Sequence, residues 1–87
     1  MQTNAYSVRD SVAEVYHVPF FAQSNAVARR MFMNACQDET TSYGKNPADY
    51  SLWRVGGFDD ETGNVMQVDK PVLVLNGATQ RSNENAS

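Results

Sequence analysis

The spacing of apolar positions changes along the chain, and each change marks an element. Asn4–Arg9 alternates, with Tyr6 and Val8 on one side and Ser7 and Arg9 on the other, which predicts a short strand. After a turn at Asp10-Ser11, Val12–Ala22 is rich in β-branched and aromatic residues, with Tyr16, Val18 and Phe20 at period two. That predicts a second strand, joined to the first as a hairpin. Pro19 has no N–H for a sheet ladder, so this strand lies at an edge or bulges there. From Ser24, a good N-cap, the period becomes helical. Within Asn25–Gln37 one stripe holds Val27, Ala28, Met31, Phe32 and Ala35, and Arg29, Asn34 and Gln37 fall mostly off it.

Asp38–Asn46 reads as a polar connection with a turn-type glycine, and Pro47-Ala48-Asp49 as a tight turn. Ser51–Phe58 is a third strand. Asp59–Gly63 is a hairpin loop in which Gly63 suits a left-handed position, and Asn64–Val68 returns as the fourth strand. Asp69-Lys70-Pro71 breaks it, and Val72–Leu75 forms a short fifth strand or an extension. From residue 78 the tail ATQRSNENAS has nothing to bury and is expected to be disordered. The fold expected is therefore α+β, β-β-α-β-β(-β), with one helix on one face of a small antiparallel sheet. It forms a single domain over 1–77, followed by a tail at 78–87.

Gly56-Gly57 carries a specific expectation. Strict alternation puts Trp53, Val55 and Gly57 on one face and Phe58 on the other, and a bulge at the glycines returns Phe58 to the Trp53 side. Trp53, Val55 and Phe58 are then expected under the helix, with Leu52 and Arg54 opposite. One helix covers only one face of the sheet, yet Val72-Leu73-Val74-Leu75 is apolar on both. Val15, Phe21, Leu52, Leu73 and Leu75 are accordingly candidates for an interface on the uncovered face. Either a second subunit covers that face or it is a stacking platform.

Composition narrows the chemistry. A chain of 87 residues is one domain, and at this size it buries only about 60–65 % of its unfolded surface. Its stability margin is thin, so oligomerisation is a natural supplement. The net charge of −3 falls entirely in residues 46–87, the charges of 1–45 being balanced. Any anion-binding face must therefore be local. A single Cys36 excludes an internal disulfide framework. The one histidine, His17, lies in a different element from Cys36, and nothing in the pattern pairs them as a nucleophile and base. His17 reads as a half-exposed strand residue and Cys36 as a small hydrophobe of the helix. Asp59-Asp60-Glu61 lacks the alternating ligands of a calcium loop, and Gly56-Gly57 lacks the Lys-Ser/Thr of a phosphate loop. No cofactor, metal site or enzymatic activity is expected. No apolar run approaches the roughly 20 residues of a membrane span, and the start lacks a signal-peptide core, so the protein is expected to stay where it is made.

Single-stranded nucleic acid is the remaining chemical partner, because stacking needs aromatics and the backbone needs cations. Tyr6, Tyr16, Phe21, Tyr43, Tyr50 and Trp53 supply rings, and Arg9, Arg29, Arg30, Lys45 and Arg54 supply charge. Of these, Arg9, Arg29, Arg30, Lys45, Arg54 and Tyr43 are the candidate DNA contacts. DNA affinity is expected to fall steeply with added salt.

Pro19-Phe20-Phe21, Arg30-Met31-Phe32 and Pro47-x-Asp49-Tyr50-Ser51-Leu52-Trp53-Arg54-Val55-Gly56, followed by Phe58-Asp59 and Gly63, resemble one family. It is the small non-structural protein of gokushoviruses, tailless single-stranded-DNA phages, also described as the phage fifth-reading-frame protein. The resemblance runs from about Tyr6 to about Leu75. It implies a non-enzymatic protein of the infected bacterium's cytoplasm that binds single-stranded DNA in genome replication or in the switch to packaging. The alternative it leaves is a homodimer, or a module that docks viral replication or capsid proteins without touching DNA. The family brings no motif assigned to DNA contact.

Overall fold

The computed structural model describes residues 2–78. The described strands are β1 (Gln2–Asp10), β2 (Val15–Tyr16), β3 (Phe20–Ala22), β4 (Tyr50–Asp59) and β5 (Val65–Asn76). All pair antiparallel in one sheet of order β2-β1-β4-β5, with β3 also on β1. The helices are α1 (Asn25–Gln37) and α2 (Ser42–Lys45), with one 3-10 turn at Pro47–Asp49. The expected α+β class, one main helix with a small antiparallel sheet, is therefore present, whereas the order along the chain is β-β-β-α-α-β-β and not the expected β-β-α-β-β. The expected tail lies, from residue 79, outside the described residues.

The second expected strand is split in two by its proline. Between the pairs Arg9↔Tyr16 and Tyr6↔Phe20, Ser7 and Val8 of β1 face His17, Val18 and Pro19. One extra residue is accommodated there, so the segment is both an edge and a bulge, as Pro19 requires. The turn before it is tightened by the Asp10 carboxylate, which accepts the N–H groups of Val12 and Ala13.

Ser24 caps α1, its side chain accepting the Val27 N–H at 3.3 Å. The buried stripe is Ala28, Phe32 and Cys36, while Val27 and Met31 lie nearly half exposed. The helix is thus rotated by about one position from the expected stripe, a shift the composition tolerates because Val27 and Met31 flank the same side. Cys36 behaves as the small hydrophobe expected, and burial pushes its thiol up to about 11.

The core lies between α1 and one face of the sheet, called here the near face. It consists of Tyr6, Val8, Ala22, Ala28, Phe32, Cys36 and Leu52, with Phe20, Tyr43, Tyr50, Val74 and Leu75 packed against it. Tyr6 is anchored at its polar end: its hydroxyl donates to the Asn25 carboxamide oxygen at 2.6 Å and accepts from Asn4 Nδ2 at 3.0 Å. A buried tyrosine needs such a partner.

In β4 the expected bulge exists, but its faces are reversed. Tyr6 pairs Arg54 and Ala5 pairs Gly56, so the residue without a partner is Val55, next to the glycines rather than at them. The bulge does bring Phe58 to the Trp53 side, as its parity demands. That side faces away from the helix. Leu52 is fully buried in the core and Trp53 is half-buried on the opposite, far face. Alternation alone cannot choose between them, because each face of the strand carries one large apolar residue.

The hairpin loop closes with Gly63 at φ +77, where its N–H donates to the Asp59 carbonyl at 2.8 Å. Beyond it, the expected break at Asp69-Lys70-Pro71 does not end the strand. Arg54↔Val72 and Gly56↔Gln67 are successive pairs, so residue 55 of β4 faces residues 68–71 of β5. An edge strand can absorb Pro71 and extra residues as a wide bulge because only one of its sides needs a partner.

Candidate nucleic-acid interface

Side chains on the far face follow from the register. Residues opposite one another in antiparallel strands share a face. Arg9 pairs Tyr16, Ser7 pairs Trp53, Trp53 pairs Leu73, Ala5 pairs Phe21, and Thr3 pairs Phe58. Small residues occupy the central strand, large ones its neighbours. Ala5 and Ser7 are consequently buried at the floor between two aromatic pairs.

One pair is Tyr16 and Trp53, ring centroids 6.2 Å apart at 76°. The other is Phe21 and Phe58, 6.0 Å apart at 65°. Edge-to-face contacts of this kind hold the rings in place without hiding them. Tyr16 is 44 % exposed, Phe21 50 % and Leu73 49 %. The Trp53 indole N–H is satisfied within the face, donating to Ser51 Oγ at 2.8 Å. The Arg9 guanidinium carbon stands 5.8 Å from the Tyr16 ring centroid, a cation–π distance that leaves its donors for another group. Trp53 and Phe58 lie about four residues of β1 apart, roughly 13 Å at strand spacing. The face therefore offers two ring clusters separated by an interval of about two nucleotides of extended chain.

The expected DNA contacts do not gather in one place. Arg9 joins the aromatic face. Arg54 is on the near face, paired with Tyr6 and Val72. Arg29 and Arg30 are exposed on α1, and Lys45 ends α2. Tyr43 is engaged elsewhere: its hydroxyl meets His17 Nδ1 at 2.8 Å and its ring lies 4.7 Å from that of Tyr50. Burial, with Tyr50, Asp10 and Cys36 nearby, holds its hydroxyl above the usual tyrosine range. His17 is thus a half-buried partner of Tyr43 in the loop between β2 and β3, not a strand residue. Beside this pair an apolar cavity of about 200 Å³ opens between α1 and the sheet, with Val8, Val18, Phe20, Met31 and Phe32 in its walls.

Of the expected interface residues, Phe21 and Leu73 belong to the far face. Val15 is exposed at the end of β2. Leu52 and Leu75 do not lie on that face, Leu52 being core and Leu75 packed against it. Tyr16, Trp53 and Phe58 complete the face, although sequence reading assigned Trp53 and Phe58 to the core. A usable signal was Ser51: two residues before Trp53, it shares a face with it and offers the oxygen an indole N–H needs.

Among the described residues no three His, Cys, Asp or Glu side chains gather where they could hold a metal ion. No described helix is long and apolar enough to cross a membrane. The family model described as phage ORF5 protein matches residues 3–80. No curated protein sequence and no solved structure matches the chain. With the family match running from the first strand to beyond the last, the chain belongs to the family of phage ORF5 proteins.

Proposed function

We propose that the chain is a non-enzymatic single-stranded-DNA-binding protein that lays bases on the far face of its sheet. Membership of a phage family supports a role in viral genome replication or in the switch to packaging, in the cytoplasm of the infected bacterium. Its resemblance to gokushovirus non-structural proteins agrees with this. The observation that carries the reading is the pair of partly exposed aromatic clusters, with Arg9 over one of them.

Magnitudes set the kind of binding. Base–aromatic stacking contributes about 1–3 kcal/mol per base. Two to four stacked bases give roughly 4–8 kcal/mol, a Kd between about millimolar and micromolar. Arg9 is the cation in contact with the platform, and each phosphate neutralised on a single strand adds a salt slope of about −0.7. Binding is therefore modest and its salt dependence shallow, in place of the steep dependence expected from pooling every basic residue.

The test is fluorescence anisotropy of a labelled oligo(dT) at low and moderate salt, with wild type, Tyr16→Ala and Phe21→Ala. The reading predicts saturable binding that weakens roughly ten- to hundredfold in each variant, as loss of one stacked base requires. No binding at low-millimolar protein in low salt contradicts it, as do variants that bind like wild type.

A second reading is favoured by the exposure of Val65 and Leu73 of β5, which lie on the same face opposite Phe58 and Trp53. There the sheet docks a second copy, or a viral replication or capsid protein, without DNA contact. Sedimentation of the protein alone separates the two: a dimer dispersed by Leu73→Lys supports the second reading, and a monomer at high concentration removes its homodimeric form.

A further inference from the structure

Away from the platform, on the near face, a second concavity of about 160 Å³ has no helix residue in its lining. It forms where β4 and β5 part company, at the Val55 bulge. Residue 55 has no ladder partner on either neighbouring strand, and residues 68–71 have none on β4. Beside it, bare backbone lets the strands come close together. A Cβ on Gly56 would lie 2.3 Å from the Met66 carbonyl oxygen, and one on Gly57 would lie 3.3 Å from the Met66 side chain and from the Thr3 carbonyl oxygen.

Arg54 lines this concavity beside Gln2, Asn4, Gly56, Gly57 and Gln67, and no acidic side chain lines it. In a chain of net charge −3 this is a local positive spot. Among the described residues the guanidinium of half-buried Arg54 meets no carboxylate and makes no side-chain hydrogen bond, its backbone alone being paired in the sheet. A guanidinium carries five N–H donors in a planar fork, and leaving them undersatisfied in a partly buried place is costly. Gln2 spends its amide on a weak contact, Nε2 to Met66 Sδ at 3.8 Å, which an oxyanion would readily replace. The volume equals about five waters at roughly 30 Å³ each, well below the ~300 Å³ at which pockets for whole ligands begin. A small oxyanion, with several oxygens each accepting from a different direction, suits such a site, and phosphate is one. Bulges that free backbone N–H groups make anion-binding concavities of the same kind.

We propose that Arg54 and the bulge around it form a site for a single phosphate group, carried either by inorganic phosphate or by a nucleotide. It lies on the opposite face from the aromatic platform and does not depend on that platform binding DNA.

The probe is a set of ¹H–¹⁵N spectra at constant ionic strength, titrated separately with inorganic phosphate, thymidine 5′-monophosphate and thymidine. Saturable shifts are expected at the Arg54 Nε–H, the Gln2 side-chain amide and the Gly56 and Gly57 backbone amides, with both phosphate compounds and not with thymidine. Equal affinities mean that the site admits a nucleotide's phosphate, and tighter binding of the inorganic ion means that it favours the free group. Arg54→Gln should weaken binding at least tenfold, and Arg54→Lys, which keeps the charge and loses the fork, should retain part of it. Preserved chemical-shift dispersion in both variants shows that the fold is intact. The proposal is overturned if Gly56 and Gly57 do not respond, if Arg29 and Arg30 respond equally, or if Arg54→Gln binds like wild type. Failure of the DNA reading registers instead at the Trp53 indole N–H, so the two failures are distinguishable.

Discussion

Two adjacent residues, Leu52 and Trp53, divide the work of the molecule between stability and surface. Leu52 has no exposed area and sits among Tyr6, Val8 and Phe32. Leu52→Ala should lower unfolding free energy by about 2–5 kcal/mol, the cost of a buried cavity. Trp53→Ala removes a partly buried ring at the surface and should cost less stability while weakening the proposed DNA binding. Urea denaturation of the two variants checks the contrast, and a larger loss in Trp53→Ala would contradict the face assignment. Cys36 gives a pH prediction. Its folded thiol titrates near 11 against a reference of 9.0, so the unfolded state loses its proton first as pH rises. The stabilisation is complete below about pH 9 and is lost progressively between about 9 and 11. Tyr43, also held above its usual range, adds to the same alkaline loss. Cys36→Ala should therefore make the alkaline fall in denaturation midpoint shallower without removing it.

At the scale of elements, much was legible in the sequence because single residues carry strong local rules. Pro19 foretold an edge with a bulge, Gly63 a left-handed loop position, and Ser24 the start of α1. That cap is worth about 1 kcal/mol, so Ser24→Ala should lower stability by about that much and leave oligonucleotide affinity unchanged. Thermal unfolding beside anisotropy measures both. What was not legible depended on pairing between strands. Tyr50-Ser51-Leu52-Trp53-Arg54 puts an apolar residue on each face, and only the register against Tyr6 and Val8 shows which one turns inward. Lys70-Pro71 looks like a strand end because a central strand could not hold it, and β5 holds it only by being an edge. The candidate site shared that fate. Its rings were visible in the sequence, but their gathering on one face waits on the Val55 bulge.

For the whole molecule, a small sheet with one helix leaves one face without cover, and a chain of this size has little surplus stability with which to carry an idle apolar surface. The near face holds the core at one end and the Arg54 concavity at the other. The far face holds the aromatic clusters, Arg9 and Leu73. On the proposed function, base stacking accounts for the exposure of those aromatics without strong overall positive charge. Trp53 is the chain's only tryptophan and lies on the platform itself, so its emission reports on that face alone. The most direct measurement is therefore Trp53 fluorescence during titration with unlabelled oligo(dT) at low salt. The account predicts saturable quenching whose midpoint matches that of anisotropy and which is lost in Tyr16→Ala. Binding seen by anisotropy with Trp53 emission unchanged would place the DNA elsewhere and contradict it.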